Sequence, residues 1–266
     1  MKTAAAPPFH TLTLEFDCAI ATITLNRPEK RNAISPEMIR ELSEALARAE
    51  RGEARTVILT GTGKAFCAGM DLDALRSLAS QTPKQHREDA IQMAEMFRRV
   101  YSFPKPLIAA VNGPAIAGGC GLATLADFTL AVPEAKFGYT ETRIGFLPAF
   151  VSVFLLRQIG EKRTRELLLT GRIFGAEEAR DLGLVTEIVP PENLISRARE
   201  LAASLAAMSP TSLFVTKRLV LDWNARDIRR DLEIAIRESA KIRRTSDFRE
   251  GLSAFLEKRE PRWTGK

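Results

Sequence analysis

Residues 107–121 read LIAAVNGPAIAGGCG, and this stretch decides the fold. The run LIAAV is typical of a strand buried on both faces of a parallel sheet. The uncharged run 106–126 could span a bilayer by length, but Asn112, Pro114 and four glycines would break a membrane helix. The stretch therefore predicts a buried strand, a turn and the start of a buried helix.

A second stretch repeats this design nearer the N-terminus. Thr56–Thr60 (TVILT) predicts another buried strand, and Lys64–Leu72 (KAFCAGMDL) follows it after a glycine turn. Asp71 can cap a helix that begins near Leu72. Neither stretch matches GxGxxG with a ribose-binding acid or GxxxxGK[ST], which disfavours those two nucleotide sites.

Small residues and glycines after a strand can leave backbone N–H groups exposed. Two such turns predict an oxyanion hole, which holds the negative oxygen that develops during acyl chemistry. The alternatives are an ordinary strand-to-helix turn for the first stretch and close helix packing for the second. A third candidate is Glu141 in Phe137–Gly145, where apolar neighbours could desolvate a general base. Glu141 could equally be a surface residue paired with Arg143.

The rest of the chain predicts an α/β protein with a helical tail. Strands alternate with helices up to about residue 190, and from Asn193 to Glu260 the period is helical throughout. We expect a core domain over residues 1–200 and an α-helical subdomain over residues 201–266. Asp89–Val100 predicts an amphipathic helix. Ser35 is a candidate N-cap for an earlier helix that begins at Pro36.

Composition bounds the function without choosing it. The chain has 266 residues, 45% hydrophobic and 27% charged, with a formal net charge of +6. This excludes a disordered chain and a disulfide scaffold, and the charge would suit an anionic partner. Three scattered cysteines and the lack of an apolar leader predict a cytoplasmic protein. The two histidines lack metal-ligand spacing, so we expect no metal site, and we expect no membrane span either.

The order and spacing of these segments resemble the crotonase (enoyl-CoA hydratase/isomerase) superfamily over about residues 11–259. The similar pieces are NRPEKRNAIS, KAFCAGMDL, NGPAIAGGCGLATLAD, ETRIG, LTGRIFGAEEARDLGLV and GLSAFLEKR. The resemblance implies a crotonase-like spiral of ββα repeats with a C-terminal helical trimerisation subdomain. It also implies a homotrimer or a dimer of trimers, and an acyl-CoA thioester as the partner.

The resemblance assigns roles to residues at matching positions. The backbone N–H groups of Met70 and Gly118 would polarise the thioester carbonyl, and Glu141 would be the catalytic carboxylate. No cofactor is implied, since coenzyme A is part of the substrate. Phe255 and Lys258 match tail residues that reach the CoA of a neighbouring subunit. The residues expected to bind substrate are Lys30, Ala68, Asp71, Leu72, Gly121, Phe150, Phe255 and Lys258.

Two positions depart from the family pattern. Hydratases of this family usually have two glutamates around the bound water, and the first corresponds to Gly121 here. Phe150 stands where relatives often have glycine-rich sequence, so it would reshape the acyl pocket or simply pack in a helix. The expected reaction is enoyl-CoA hydration by Glu141 alone, with a branched methylglutaconyl-type substrate as a sub-hypothesis. Arg143 could pair with a carboxylated acyl group or face solvent.

Other functions remain open at this point. One carboxylate suffices for several other reactions through an enolate or oxyanion, so an isomerase, a decarboxylase or a thioester hydrolase is the alternative. A non-catalytic relative that binds CoA or RNA is a further one, with Arg229–Arg230 and Arg243–Arg244 as basic pairs. Interleaved acidic residues and few aromatic residues make nucleic acid an unlikely partner.

Overall fold

The computed structural model describes residues 9–78 and 80–266, and its framework is a six-stranded sheet in the order β1-β2-β3-β4-β6-β9. A smaller sheet has the order β5-β7-β8. The strands are β1 Leu12–Asp17, β2 Ile20–Leu25, β3 Thr56–Gly61, β4 Leu107–Val111, β5 Ala115–Ile116, β6 Phe128–Ala131, β7 Lys136–Gly138, β8 Ile173–Gly175 and β9 Glu187–Ile188. The β1–β2 and β7–β8 pairs are antiparallel and the others are parallel, so the α/β fold class is confirmed.

Helices connect the strands and form the C-terminal part of the chain. They are α1 Pro36–Arg51, α2 Leu72–Leu78, α3 Pro83–Tyr101, α4 Gly118–Thr124, α5 Ala149–Thr170, α6 Ala176–Asp181, α7 Leu194–Ala206, α8 Pro210–Ile242 and α9 Ser246–Glu257. Short 3-10 turns cover Pro28–Lys30, Glu141–Ile144 and Pro191–Asn193. No helix among the described residues is both long enough and apolar enough to cross a bilayer.

Local signals place several of these boundaries. The predicted Ser35 cap is confirmed, because its hydroxyl accepts a hydrogen bond from the N–H of Met38. Helix α3 begins earlier than hydrophobic periodicity indicates, because Thr82 and Gln85 form a capping box. Helix α5 has a kink at Gly160, whose φ is +75°.

The helical tail packs in two different ways. Helix α7 lies against β3 and β4, whereas α8 lies against α3 and α5. Residue 200, the expected domain boundary, falls inside α7. Since α7 covers the sheet, a division between sheet and tail would fall after this helix, and the division itself stays a prediction.

A buried asparagine ties the segment before α1 to the loop after β3. Asn32 donates from Nδ2 to the carbonyl oxygens of Thr62, at 2.9 Å, and Ala65, at 2.8 Å, and its Oδ1 accepts from the N–H of Arg27. Its φ is +54°, a region that Asn tolerates better than most residues. The segment is therefore held by polar contacts in the interior.

We predict that Asn32→Ala lowers the free energy of unfolding by about 2–3 kcal/mol, because it strands two buried carbonyls and puts Ala at positive φ. Urea denaturation at pH 7 measures this change. Asn193→Ala is the matched control, since Asn193 is exposed and makes no capping hydrogen bond. An equal loss in both variants would contradict the role given to Asn32.

Candidate active site

Four chain segments lie side by side in parallel and bring the candidate residues together. Ile34 pairs with Met70, and Cys67 pairs with Ala115. On its other side, the segment of Ala115 and Ile116 pairs with a fourth segment, in which Ile116 lies opposite Gly138, three residues before Glu141. The segments that end in Met70, Gly118 and Glu141 are therefore consecutive neighbours, although they lie far apart in sequence.

The two candidate oxyanion donors share a local geometry. Gly69, before Met70, has φ +89°, and Ala117, before Gly118, has φ +51°. Positive φ thus interrupts the extended course of each segment at the residue before the candidate donor. Among the described residues, neither the Met70 N–H nor the Gly118 N–H has a hydrogen-bond acceptor. Both residues line one cavity, as two donors for a single oxygen must.

Glu141 begins the 3-10 turn that follows this ladder and lines the same cavity. Its Oε2 is buried and has no hydrogen-bond partner among the described residues. Burial raises the pKa of Glu141 to about 7, because the charged form loses its hydration. Arg143 is exposed and does not line the cavity, so the alternative of a surface ion pair with Glu141 does not hold.

The cavity has a volume of about 660 Å³. Every expected site residue except Gly121 lies on its wall. Sequence reasoning did not single out several wall residues, because they come from helices and loops whose relative positions only the fold sets. These are Ile34, Leu75, Met93, Phe97, Phe146 and Val151. Arg243, which the sequence offered as half of a basic pair for RNA, is also among the lining residues and is buried, so it does not form an exposed basic patch.

Gly121 lies behind the wall, where the family's other glutamate would stand. A Cβ at this position would lie 2.5 Å from Cγ1 of Val151 and 2.9 Å from Cε1 of Phe97. Phe150 both packs in the first turn of α5 and lines the cavity, with its ring centroid 6.3 Å from that of Phe97. Apolar side chains therefore occupy the space that a second carboxylate would need.

Two other carboxylates lie on the cavity wall within the described residues, and they differ from Glu141 in exposure or in ion pairing. Glu29 is exposed. Asp71 is buried in an ion pair with Arg27, at 2.8 Å, and its Oδ1 caps α2 through the N–H of Asp73, as the sequence predicts. Glu141 is thus the buried carboxylate of this wall that has no ionic partner.

Exposed lysines lie among the residues that line the cavity. Lys30 lies 3.2 Å from Asp73, in a solvent-exposed ion pair that a phosphate group could replace at little cost. Phe255 and Lys258, at the end of α9, line this chain's own cavity. Their reach to the cleft of a neighbouring subunit stays a prediction.

Two buried cysteines and a cluster of one histidine and two glutamates are not part of the candidate active site. Burial raises the pKa of the Cys67 and Cys120 thiols to about 12, so neither is a ready nucleophile. The fold also brings His10, Glu37 and Glu41 together, with ligand atoms within 4.8 Å of one another, which their spacing in sequence did not show. Glu41 already accepts hydrogen bonds from the backbone N–H groups of His10 and Thr11, and none of the three lines the cavity.

The last residues of the chain support the turn that carries Glu141. Asp247 accepts hydrogen bonds from the N–H groups of Thr264, at 2.7 Å, and Gly265, at 3.0 Å. This holds Trp263 against Gly145 and Gly251, where added Cβ atoms would lie 3.1 and 2.8 Å from the indole ring. Trp263 therefore packs against the end of the turn, at Gly145.

We predict that Gly121→Ala lowers the free energy of unfolding by about 1–3 kcal/mol, because the new methyl group overpacks Val151 and Phe97. Denaturant unfolding monitored by circular dichroism measures it. Gly175→Ala is the matched control, since the nearest atom to its Cβ is Nζ of Lys136 at 3.9 Å. Full stability of Gly121→Ala would show that the wall has room for a larger side chain.

We predict that Trp263→Ala lowers kcat for the enoyl-CoA substrate that the resemblance implies about tenfold, with a smaller change in KM, because the carboxylate loses its fixed position. Steady-state kinetics measure the two constants separately. Trp263→Phe should restore most of kcat, since a ring still backs the turn. A purely structural role would instead lower the amount of folded protein and leave kcat per folded chain unchanged.

Comparison with known proteins is consistent with this site. The Enoyl-CoA hydratase/isomerase family profile matches residues 15–266. A Thermus thermophilus protein that carries an enoyl-CoA hydratase name is 45% identical over 245 residues, which cover 92% of this chain and 97% of the relative. The 1,2-epoxyphenylacetyl-CoA isomerase of Escherichia coli is 36% identical over 256 residues, 93% of this chain and 95% of that protein.

A solved structure extends the likeness to the fold. The crystal structure of an enoyl-CoA hydratase/isomerase from Xanthobacter autotrophicus Py2 has a TM-score of 0.87 and 30% sequence identity, and covers 97% of this chain and 100% of that one. The likeness to these relatives, in sequence and in fold, extends over nearly the whole chain. The protein is an enzyme of the enoyl-CoA hydratase/isomerase family, within the crotonase superfamily.

Proposed function

We propose that the protein is an enoyl-CoA hydratase that adds water syn to a 2-enoyl-CoA with Glu141 as its sole catalytic carboxylate. The observation that carries this proposal is the buried, unpaired Oε2 of Glu141 in the cavity that Met70 and Gly118 also line. A carboxylate with a pKa near 7 is suited to both accept and return a proton near neutral pH.

The proposed reaction needs one base and one pair of donors. Glu141 takes a proton from water while the water oxygen bonds to the β-carbon of the enoyl group. The thioester oxygen becomes an enolate oxygen and accepts hydrogen bonds from the N–H groups of Met70 and Gly118. Glu141 then gives its proton to the α-carbon, so that one water molecule has added across the double bond. The step draws on no metal or cofactor, and coenzyme A belongs to the substrate.

The substrate would enter past the exposed cations. Lys30 and Lys258 suit the phosphates of coenzyme A, and Ala68, Asp71 and Leu72 would border its adenine, largely through backbone atoms. Phe150 would bound the acyl group. With no carboxylate at Gly121, a branched acyl group of the methylglutaconyl type would meet less negative charge.

A trimer or a dimer of trimers is part of this proposal. Helix α8 exposes a run of large apolar side chains that a single chain leaves in water. They are Phe214, Val215, Leu219, Val220 and Trp223. Three unpaired cysteines suit a reducing compartment, and we expect the enzyme in the cytoplasm.

Isomerisation is the second candidate, because a relative of 36% identity is named as an isomerase and one carboxylate can shuttle a proton between two carbons. Two assays separate the candidates. Loss of the conjugated enoyl absorbance of crotonyl-CoA or 3-methylglutaconyl-CoA, with a 3-hydroxyacyl-CoA product, indicates hydration. Gain of that absorbance from a 3-enoyl-CoA without water addition indicates isomerisation.

We predict that kcat/KM for hydration falls about tenfold per pH unit below pH 7 and is flat above about pH 8, because the attacking step needs ionised Glu141. The sign follows from the pKa of about 7, since the protonated acid predominates below it. Glu141→Gln should lower kcat about 10²- to 10⁴-fold and abolish this limb. Stopped-assay rates from pH 5.5 to 9 measure both effects.

Glu134→Gln is the matched control, since Glu134 is exposed and lies seven residues before Glu141. It should keep the wild-type rate and pH profile. Undiminished turnover by Glu141→Gln would exclude the proposed role, and so would a profile that stays flat down to pH 5.5.

A further inference from the structure

Arg27 bridges the two chain segments that meet at the pair of Ile34 and Met70. Its Nη1 donates a hydrogen bond of 2.8 Å to the carbonyl oxygen of Ala33, in the first segment. Its Nη2 lies 2.8 Å from Oδ2 of Asp71, in the second segment, and this contact is an ion pair rather than an aligned hydrogen bond. The side chain of Arg27 is 18% exposed and that of Asp71 is 4% exposed, so the pair is largely withdrawn from water. Arg27 is not among the described residues that line the cavity, so it can affect the site only through these segments.

The hydrogen bonds between these two segments fix the direction of the Met70 N–H group. The N–H of Ile34 donates to the carbonyl oxygen of Gly69 at 2.7 Å, and the carbonyl oxygen of Ile34 accepts from the N–H of Asp71 at 2.9 Å. The Gly69 carbonyl and the Met70 N–H belong to one peptide group, which is planar and trans, so they point in opposite directions. Because the carbonyl points at Ile34, the N–H of Met70 points away from that segment. The spacing of the two segments therefore sets where this donor points.

The backbone of Arg27 is itself held in place. Its N–H donates to Oδ1 of Asn32 at 2.8 Å, and its carbonyl oxygen accepts from the N–H groups of Lys30, at 3.0 Å, and Asn32, at 2.9 Å. A guanidinium group is also planar, with a fixed angle between its donors. A rigid group that contacts both segments can therefore hold their spacing. This spacing matters for catalysis, because a misplacement of about 1 Å in a reacting group can lower a rate about 100-fold.

We propose that Arg27 is a positioning residue that holds the Met70 N–H group in line with the thioester oxygen. It does so by joining Ala33 to Asp71, next to the paired residues that fix this peptide. The inference rests on the proposed function only in placing a thioester oxygen at the Met70 and Gly118 donors. An ion pair elsewhere would only stabilise the fold, whereas loss of this one should also weaken the polarisation of the bound thioester carbonyl.

The test measures carbonyl polarisation directly, so that it does not depend on turnover. The parent protein and every variant carry Glu141→Gln, which slows any hydration of the probe. The probes are cinnamoyl-CoA and 2,4-hexadienoyl-CoA, whose conjugated absorbance moves to longer wavelength when hydrogen bonds polarise the thioester carbonyl. At saturation the parent should show this red shift for at least one probe. Arg27→Met should reduce the shift by about half or more, since one of two donors is misplaced, and Arg27→Lys should give an intermediate shift, since an ammonium group keeps the charge and loses the fork.

Arg157→Met is the matched control, because Arg157 makes the same kinds of contact away from the cavity. Its side chain is also 18% exposed, its Nη2 lies 2.8 Å from Oδ2 of Asp231, and its Nη1 donates to the carbonyl oxygen of Val153. Both variants should unfold at a lower denaturant concentration than the parent, but only Arg27→Met should reduce the red shift. With Glu141 restored, Arg27→Met should lower kcat about 10- to 100-fold with a smaller change in KM, and Arg157→Met should keep kcat per folded chain.

A second variant guards against loss of folding. Arg27→Met strands the buried carboxylate of Asp71, and the double variant Arg27→Met, Asp71→Asn removes that charge. Asparagine can still cap α2, and the double variant should also show the reduced shift. The proposal is overturned by an unchanged shift in a folded Arg27 variant, by an equal loss of shift in Arg157→Met, or by a parent that shifts neither probe.

The outcomes separate this inference from the proposed hydration. A protein whose red shift depends on Arg27, but that hydrates no enoyl-CoA, would keep the role of Arg27 and lose the hydratase assignment. A protein that hydrates crotonyl-CoA and keeps its full red shift without Arg27 would do the reverse.

Discussion

The site depends on backbone pairing between four short segments that are remote in sequence. Ile34 pairs with Met70, Cys67 with Ala115, and Ile116 with Gly138. Each pair fixes the spacing of its neighbours to the few ångströms of a hydrogen-bonded ladder. Because this spacing is set by main-chain bonds, the positions of the two amides do not rely on flexible side chains, whereas the carboxylate also depends on the conformation of the Glu141 side chain.

Backbone strain marks the ends of two segments of this ladder, directly before the candidate donors. Ala117 adopts a positive φ that a non-glycine residue rarely takes, and the next amide is left without an acceptor among the described residues. Folding thus leaves unpaired the donors that a developing oxyanion would use. The same reasoning applies to Glu141, whose carboxylate loses water without gaining an ionic partner.

The absence of a side chain at Gly121 has a structural consequence beyond the loss of a carboxylate. Val151 and Phe97 fill that space, so the wall is apolar where the family pattern has a second acid.

Local structure was largely predictable from the residues themselves. The strands TVILT and LIAAV, the Ser35 cap and the capping of α2 by Asp71 follow from interactions within a few residues. Periodicity failed where such interactions compete with it, as at Thr82, whose capping box starts α3 ahead of the apolar pattern. The family resemblance also pointed to Met70, Gly118 and Glu141 as a set, since their motifs recur in order along the chain.

What the sequence determined by itself was therefore the family, the element types and the candidate catalytic groups. Only the tertiary structure decided what surrounds them: that Val151 and Phe97 close the space beside Gly121, that Phe255 and Lys258 face this chain's own cavity, and that Arg243 is buried on its wall. The reason is physical. Helix and strand signals arise from neighbours in sequence, whereas burial, charge pairing and pocket shape arise from side chains that meet only when remote elements pack.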